Sequence, residues 1–136
     1  MDFIDKLAQV LDFVSELNNQ KKLILQEIAG GIQAINHLIT TNKDAAASEG
    51  LQNLDDAFGD LNSTATQMTA DTASSSVERM KSIVGNASFY TNPANAGTGY
   101  DAVTNIGGNY SPASFLNRTI NHINVTEQLL AKQPKR

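Results

Sequence analysis

Few residues in this chain are of a type and spacing suited to chemistry. His37 and His122 are its two histidines, and cysteine is absent. A zinc-type centre gathers three or four N, S or O ligands at one point. Neither histidine has an acidic residue four positions away, so both are read as surface or edge residues. Without cysteine there is no thiolate nucleophile, no thiolate metal site and no disulfide. Asp55-Asp56-Ala57-Phe58-Gly59-Asp60 has the outline of a calcium loop. It lacks the alternating oxygen ligands and the closing glutamate that calcium requires, and it lies inside a helical pattern. Gly97-Thr98-Gly99 and Gly107-Gly108 are too short to cradle a phosphate, and no Lys-Ser/Thr follows them. No Gly-x-Ser-x-Gly elbow is present. The expectation is a protein that is not an enzyme, with no catalytic residue, cofactor or metal.

The elements that would position any site are easier to read. One apolar stripe runs from Ile4 to Ile39. Leu7, Val10, Val14, Leu17, Ile24, Ile28, Ile35 and Leu38 recur at gaps of three and four, and Lys21 and Gly31 fill the two missing places. Ile4, Leu11, Leu25, Ile32 and Ile39 form a second row beside it. A period near 3.5 with two adjacent rows predicts a helix with a wide buried face over 3–40. Asp2 is its expected cap, and Leu7, Val14, Ile28 and Ile35 are expected to be buried. At ~1.5 Å per residue this helix is about 55 Å long. The polar run Asn18-Asn19-Gln20-Lys21-Lys22 crosses the buried rows, so a bend or a wet neighbour is expected there. Gly30 and Gly31 each cost about 1 kcal/mol against Ala in a helix interior. A close crossing by another helix or another chain is the expected reason.

A second helix is predicted over 43–71, starting from Asn42 or Asp44, on the seam Ala47, Leu51, Leu54, Phe58, Leu61, Ala65 and Met68. Ser75-Ser76-Val77-Glu78 reads as a capping box opening a third helix over 76–84, with Gly85 as its stop. Residues 85–111 read as a long loop, rich in Gly and Asn, that holds all three tyrosines of the chain. Phe89, Tyr90, Tyr100 and Tyr110 on such a loop resemble a contact surface. Ser111-Pro112 is a strong start, Ser at N-cap and Pro at N1, for a last helix over 112–132. The fold class is therefore all-α. The expected architecture is one domain over 1–136, an elongated bundle of three to four amphipathic helices. It begins with a long N-terminal helical hairpin, and a Gly/Asn/Tyr-rich loop precedes its C-terminal helix.

Charge and composition bound the partners. Net charge is −4, which disfavours direct binding of nucleic acid. Seven carboxylates and no Lys or Arg fall in 44–78, while Arg118, Lys132, Lys135 and Arg136 face Glu127 alone in 111–136. Both stretches are read as a solvated helix face and a solvated tail. No apolar run is long enough to span a membrane. No secretory signal is seen, so synthesis in the cytosol is expected. Long amphipathic helices in an Ala/Asn/Ser/Thr-rich chain suggest a subunit of a protein assembly, homo-oligomeric or multi-protein. The expected function is structural: a bacteriophage virion component such as a connector or an accessory capsid or tail protein. Its final location would then be the virion or the assembled apparatus. Two alternatives are an axial subunit of a secretion or flagellar-type apparatus exported without a cleaved signal, and a cytosolic adaptor or chaperone-like binding module. Gly30, Gly31, Phe89, Tyr90, Tyr100 and Tyr110 are the candidate interface.

Overall fold

The computed structural model describes residues 2–41, 45–91 and 111–133, without the side chains of 45–48, 90 and 91. The described residues form four α-helices and no strand. They are α1 (Phe3–Thr41), α2 (Ala45–Gln67), α3 (Ala73–Ala87) and α4 (Pro112–Ala131), with a 3-10 turn at Ser88–Thr91 after α3. Each helix packs against the next, and α4 closes against α1. The directions alternate, as in an up-down-up-down bundle. Gly31 meets Phe58 while Lys21 meets Thr66, which makes α1 and α2 antiparallel. Gly30 meets Phe115 while Phe13 lies beside Leu129, which does the same for α1 and α4.

The start of α1 follows from Asp2, whose Oδ1 accepts the Asp5 backbone N–H at 2.9 Å. The helix then runs 39 residues without interruption. The polar run at 18–22 does not break it, and one of its residues has a partner on the next helix. Lys21 reaches across to the end of α2, and its Nζ donates to the Thr66 and Met68 carbonyls at 2.8 and 2.9 Å. The last carbonyls of a helix have no partner inside it and carry partial negative charge. An ammonium group in the apolar row thus terminates the neighbouring helix.

α2 is shorter than the periodicity predicts. It ends at Gln67, and the chain turns at 68–72. Thr69 and Thr72 hold this turn by a reciprocal exchange: the Thr69 N–H donates to Thr72 Oγ1 at 2.9 Å, and the Thr72 N–H to Thr69 Oγ1 at 3.3 Å. Because the chain has already reversed, α3 begins at Ala73, three residues before the expected start. The capping box is not formed. Ser75 and Ser76 lie within the first turn, where the Ser75 hydroxyl donates to the Thr72 carbonyl at 3.0 Å and Ser76 is buried. Gly85 does not stop α3, which continues to Ala87 and then tightens into the 3-10 turn. The start of α4 is as read: Ser111 Oγ accepts the Ser114 N–H at 3.1 Å, with Pro at the first helical position.

The core is one cluster. Phe13, Leu17, Ile24, Ile28, Ile35 and Leu38 of α1 meet Leu51, Leu54, Phe58 and Leu61 of α2, Val77, Met80 and Val84 of α3, and Leu116 and Ile123 of α4. Thr119 and Thr126 are fully buried on α4, and each hydroxyl donates to the carbonyl four residues earlier, at 2.8 and 2.7 Å. That pairing meets the requirement that a buried polar group be hydrogen-bonded. No described helix is long and apolar enough to cross a membrane.

Candidate assembly surface

The bundle leaves one end of its longest helix unfinished. α1 has 39 residues against 23 in α2 and 20 in α4. α2 stops level with Lys21. α4 stops level with Phe13, where Gln9, Phe13, Leu129 and Lys132 line a shallow depression. The buried residues of α1 accordingly begin at Phe13. Residues 3–8, about 9 Å of helix, project beyond that depression, and the exposed apolar face runs back to Leu11. Phe3, Ile4, Leu7 and Leu11 are 77, 73, 45 and 60% exposed. Leu7 was expected in the core and is not there, because no neighbouring helix reaches that level. Val14, at the edge, is half-buried.

Single exposed apolar residues are common on protein surfaces, but four on one face of one helix are a contiguous patch. Burying what they expose is worth roughly 4–8 kcal/mol in transfer free energy.

The glycine pair has a different role. An added Cβ on Gly31 would meet the Phe58 ring, with carbons of that ring 2.9 Å away. An added Cβ on Gly30 would meet the Phe115 ring, with carbons at 2.7 and 2.9 Å. Two aromatic rings, one from α2 and one from α4, are seated on the bare backbone of α1. Arg118 locks the second: its guanidinium stacks 4.6 Å from the centre of the Phe115 ring, and its Nε donates to Glu27 Oε2 at 2.7 Å. The close approach at both glycines is therefore to helices of the same chain. Phe89 lies in the 3-10 turn and is exposed. The side chain of Tyr90, and Tyr100 and Tyr110 entirely, lie outside the described residues, as do the expected caps Asn42 and Asp44.

Among the described residues no group of three His, Cys, Asp or Glu is placed to hold a metal ion. His37 is exposed near the end of α1, where its carbonyl accepts the Thr40 and Thr41 hydroxyls at 2.9 Å. His122 is half-buried on α4.

Sequence reasoning treated the stripe from Ile4 to Ile39 as a single buried face and so missed Phe3, Ile4 and Leu11 as surface residues. The signal that finds them is arithmetic: a helix near 38 residues cannot be covered along its length by partners of 20–29. Comparison of the chain with protein-family models, with curated proteins and with solved structures found no match.

Proposed function

We propose that this chain is a non-enzymatic structural subunit of a larger protein assembly. The observation that carries this reading is the free end of α1, with Phe3, Ile4, Leu7 and Leu11 on one exposed face at and beyond the end of a bundle that has its own core. The Cys-free, Ala/Asn/Ser/Thr-rich composition adds the kind of assembly: a bacteriophage virion, with the chain as connector or accessory capsid or tail protein. The long projecting helix also suits an axial subunit of a secretion or flagellar-type apparatus, which is the second reading.

Sedimentation velocity across the micromolar range tests the shared claim. The wild-type chain is expected to associate in a concentration-dependent manner. The double variant Leu7→Asp/Leu11→Asp is expected to remain a monomer with unchanged helical circular dichroism. A wild-type chain that stays monomeric at every concentration, and sediments like the variant, overturns self-assembly and favours an adaptor.

A further inference from the structure

The face of the bundle between α2 and α3 carries a feature that assembly does not use. A cleft of about 480 Å³ lies there. Polar residues line it, including Asp60 and Thr64 of α2, Thr72 at the turn, and Ser75, Ser76 and Arg79 of α3, with their aliphatic parts exposed to it as well. Small-molecule sites fall in the range ~300–1,000 Å³. At ~30 Å³ per water molecule the space holds about sixteen waters. That is ample for a phosphate group with a short organic stem.

Three observations give the cleft a chemical preference. The first is Ser76, which is 9% exposed and lines the cleft. Among the described residues its hydroxyl meets no hydrogen-bond partner, whereas Ser75, Thr64, Thr119 and Thr126 all return theirs to a backbone carbonyl. The residue is largely covered but its oxygen is open to the cleft, so a ligand oxygen there can take the place of water as its partner. The second is Arg79, one turn further along the same face of α3. Its Nε donates to Thr64 Oγ1 at 3.3 Å, and no carboxylate among the described residues forms an ion pair with it. Thr64 in turn donates to the Asp60 carbonyl at 2.8 Å, so the guanidinium is steered by a hydroxyl that is itself fixed. The third is the start of α3. Thr72 is its N-cap residue and makes no side-chain cap bond. The first-turn N–H groups and the positive end of the helix dipole therefore remain available beside Ser75 and Ser76.

We propose that this cleft binds the phosphate group of a small phosphate monoester, held by the Arg79 guanidinium, the Ser76 hydroxyl and the first turn of α3. Guanidinium, hydroxyl and helix N-terminus are each suited to a tetrahedral oxyanion, and the fork of Arg suits it better than the point charge of Lys. Asp60 lines the α2 side of the cleft. Its carboxylate repels an anion, which confines the phosphate to the Arg79 end and turns the organic stem toward Asp60. This site is separate from the projecting end of α1, so its failure would leave the assembly reading untouched.

The test is a ¹⁵N–¹H NMR titration of the full chain with inorganic phosphate and with glycerol 2-phosphate, at constant ionic strength and with chloride and acetate as controls. The amides of Ser75, Ser76 and Arg79 are expected to shift saturably with both phosphates and not with chloride or acetate. Tighter binding of glycerol 2-phosphate identifies a monoester as the ligand. Equal binding overturns the ester assignment and leaves free phosphate. Arg79→Gln is expected to weaken binding at least tenfold and Ser76→Ala severalfold, while Asp60→Asn tightens it severalfold. Opposite signs for Arg79→Gln and Asp60→Asn are not produced by a loss of structure, and helical circular dichroism of each variant checks the fold. No saturable shift with either phosphate, or equal shifts with chloride, overturns the proposal.

Discussion

Gly30, Gly31, Gly59 and Gly85 allow one substitution, Gly→Ala, to be read against four surroundings. In a helix interior the change gains about 1 kcal/mol, by raising helix propensity and lowering the entropy of the unfolded chain. Gly59 of α2 and Gly85 of α3 have no atom within 4 Å of an added Cβ. Gly59→Ala and Gly85→Ala should therefore each stabilise the protein by roughly 0.5–1 kcal/mol. At Gly31 the same gain is set against the ring of Phe58, which is fully buried in the core. Overpacking of this kind costs ~1–3 kcal/mol, occasionally more. The net for Gly31→Ala is a loss of up to about 2 kcal/mol. At Gly30 the opposing ring is Phe115, half-buried on the bundle's flank, with Arg118 over its face. It can shift outward, and the net should fall between zero and a loss of about 1 kcal/mol. Urea denaturation followed by circular dichroism measures all four, because the propensity gain is common to them and cancels in the differences. Phe58→Leu should relieve Gly31→Ala, so the double variant should be more stable than the two single losses predict. A stabilising Gly31→Ala, equal to Gly59→Ala, would refute the seat for the ring and leave α1 with a glycine pair that only weakens it.

Lys21→Met should cost about 1 kcal/mol by removing two charge-assisted bonds at the partly exposed end of α2, and should leave the 68–72 turn the fastest-exchanging amides of the bundle; an unchanged urea midpoint would refute its capping role. Gln20→Met should raise stability by ~1 kcal/mol, because Gln20 Oε1 is buried without a partner among the described residues and Met fills the same space without it; a loss of similar size would mean that the oxygen is satisfied in solution. Arg118→Ala should cost ~1 kcal/mol through its ion pair and its packing on Phe115, while Lys81→Ala should cost less than ~0.5 kcal/mol because both partners of the Lys81–Glu127 pair are about half exposed; thermal melts in low and high salt separate the two.

The parts of this fold legible in the sequence are those set by near neighbours. Asp2 caps α1 and Ser111-Pro112 opens α4 because a cap needs only the next three residues. The apolar rows give the helices and, through Gly30-Gly31, a place where something must come close. What came close, Phe58 and Phe115, lies 27 and 85 residues away and carries no local mark. Lys21 shows the same limit. A lysine in an apolar row looks like a defect until the end of α2 is placed beside it. The Ser75-Ser76-Val77-Glu78 box has the right letters, but the threonine exchange one turn earlier had already reversed the chain. Of the candidate interface, Gly30 and Gly31 are occupied within the chain and Phe89 is exposed. The projecting end of α1 could be found only by comparing the lengths of whole helices.

The contact that closes the bundle joins its first helix to its last. Glu27 and Arg118 are 91 residues apart. A ribosome adding ~5–20 residues per second leaves about 5–20 s between their syntheses. Throughout that interval the bare backbone at Gly30 has no ring to cover it, because Phe115 has not been made. A growing chain therefore presents half-enclosed apolar surface to whatever is near, other nascent copies included. The order of manufacture is thus opposite to the order of enclosure: the helix made first is the last to be covered. Slowing translation between residues 67 and 112 would lengthen that exposure without altering a single native contact.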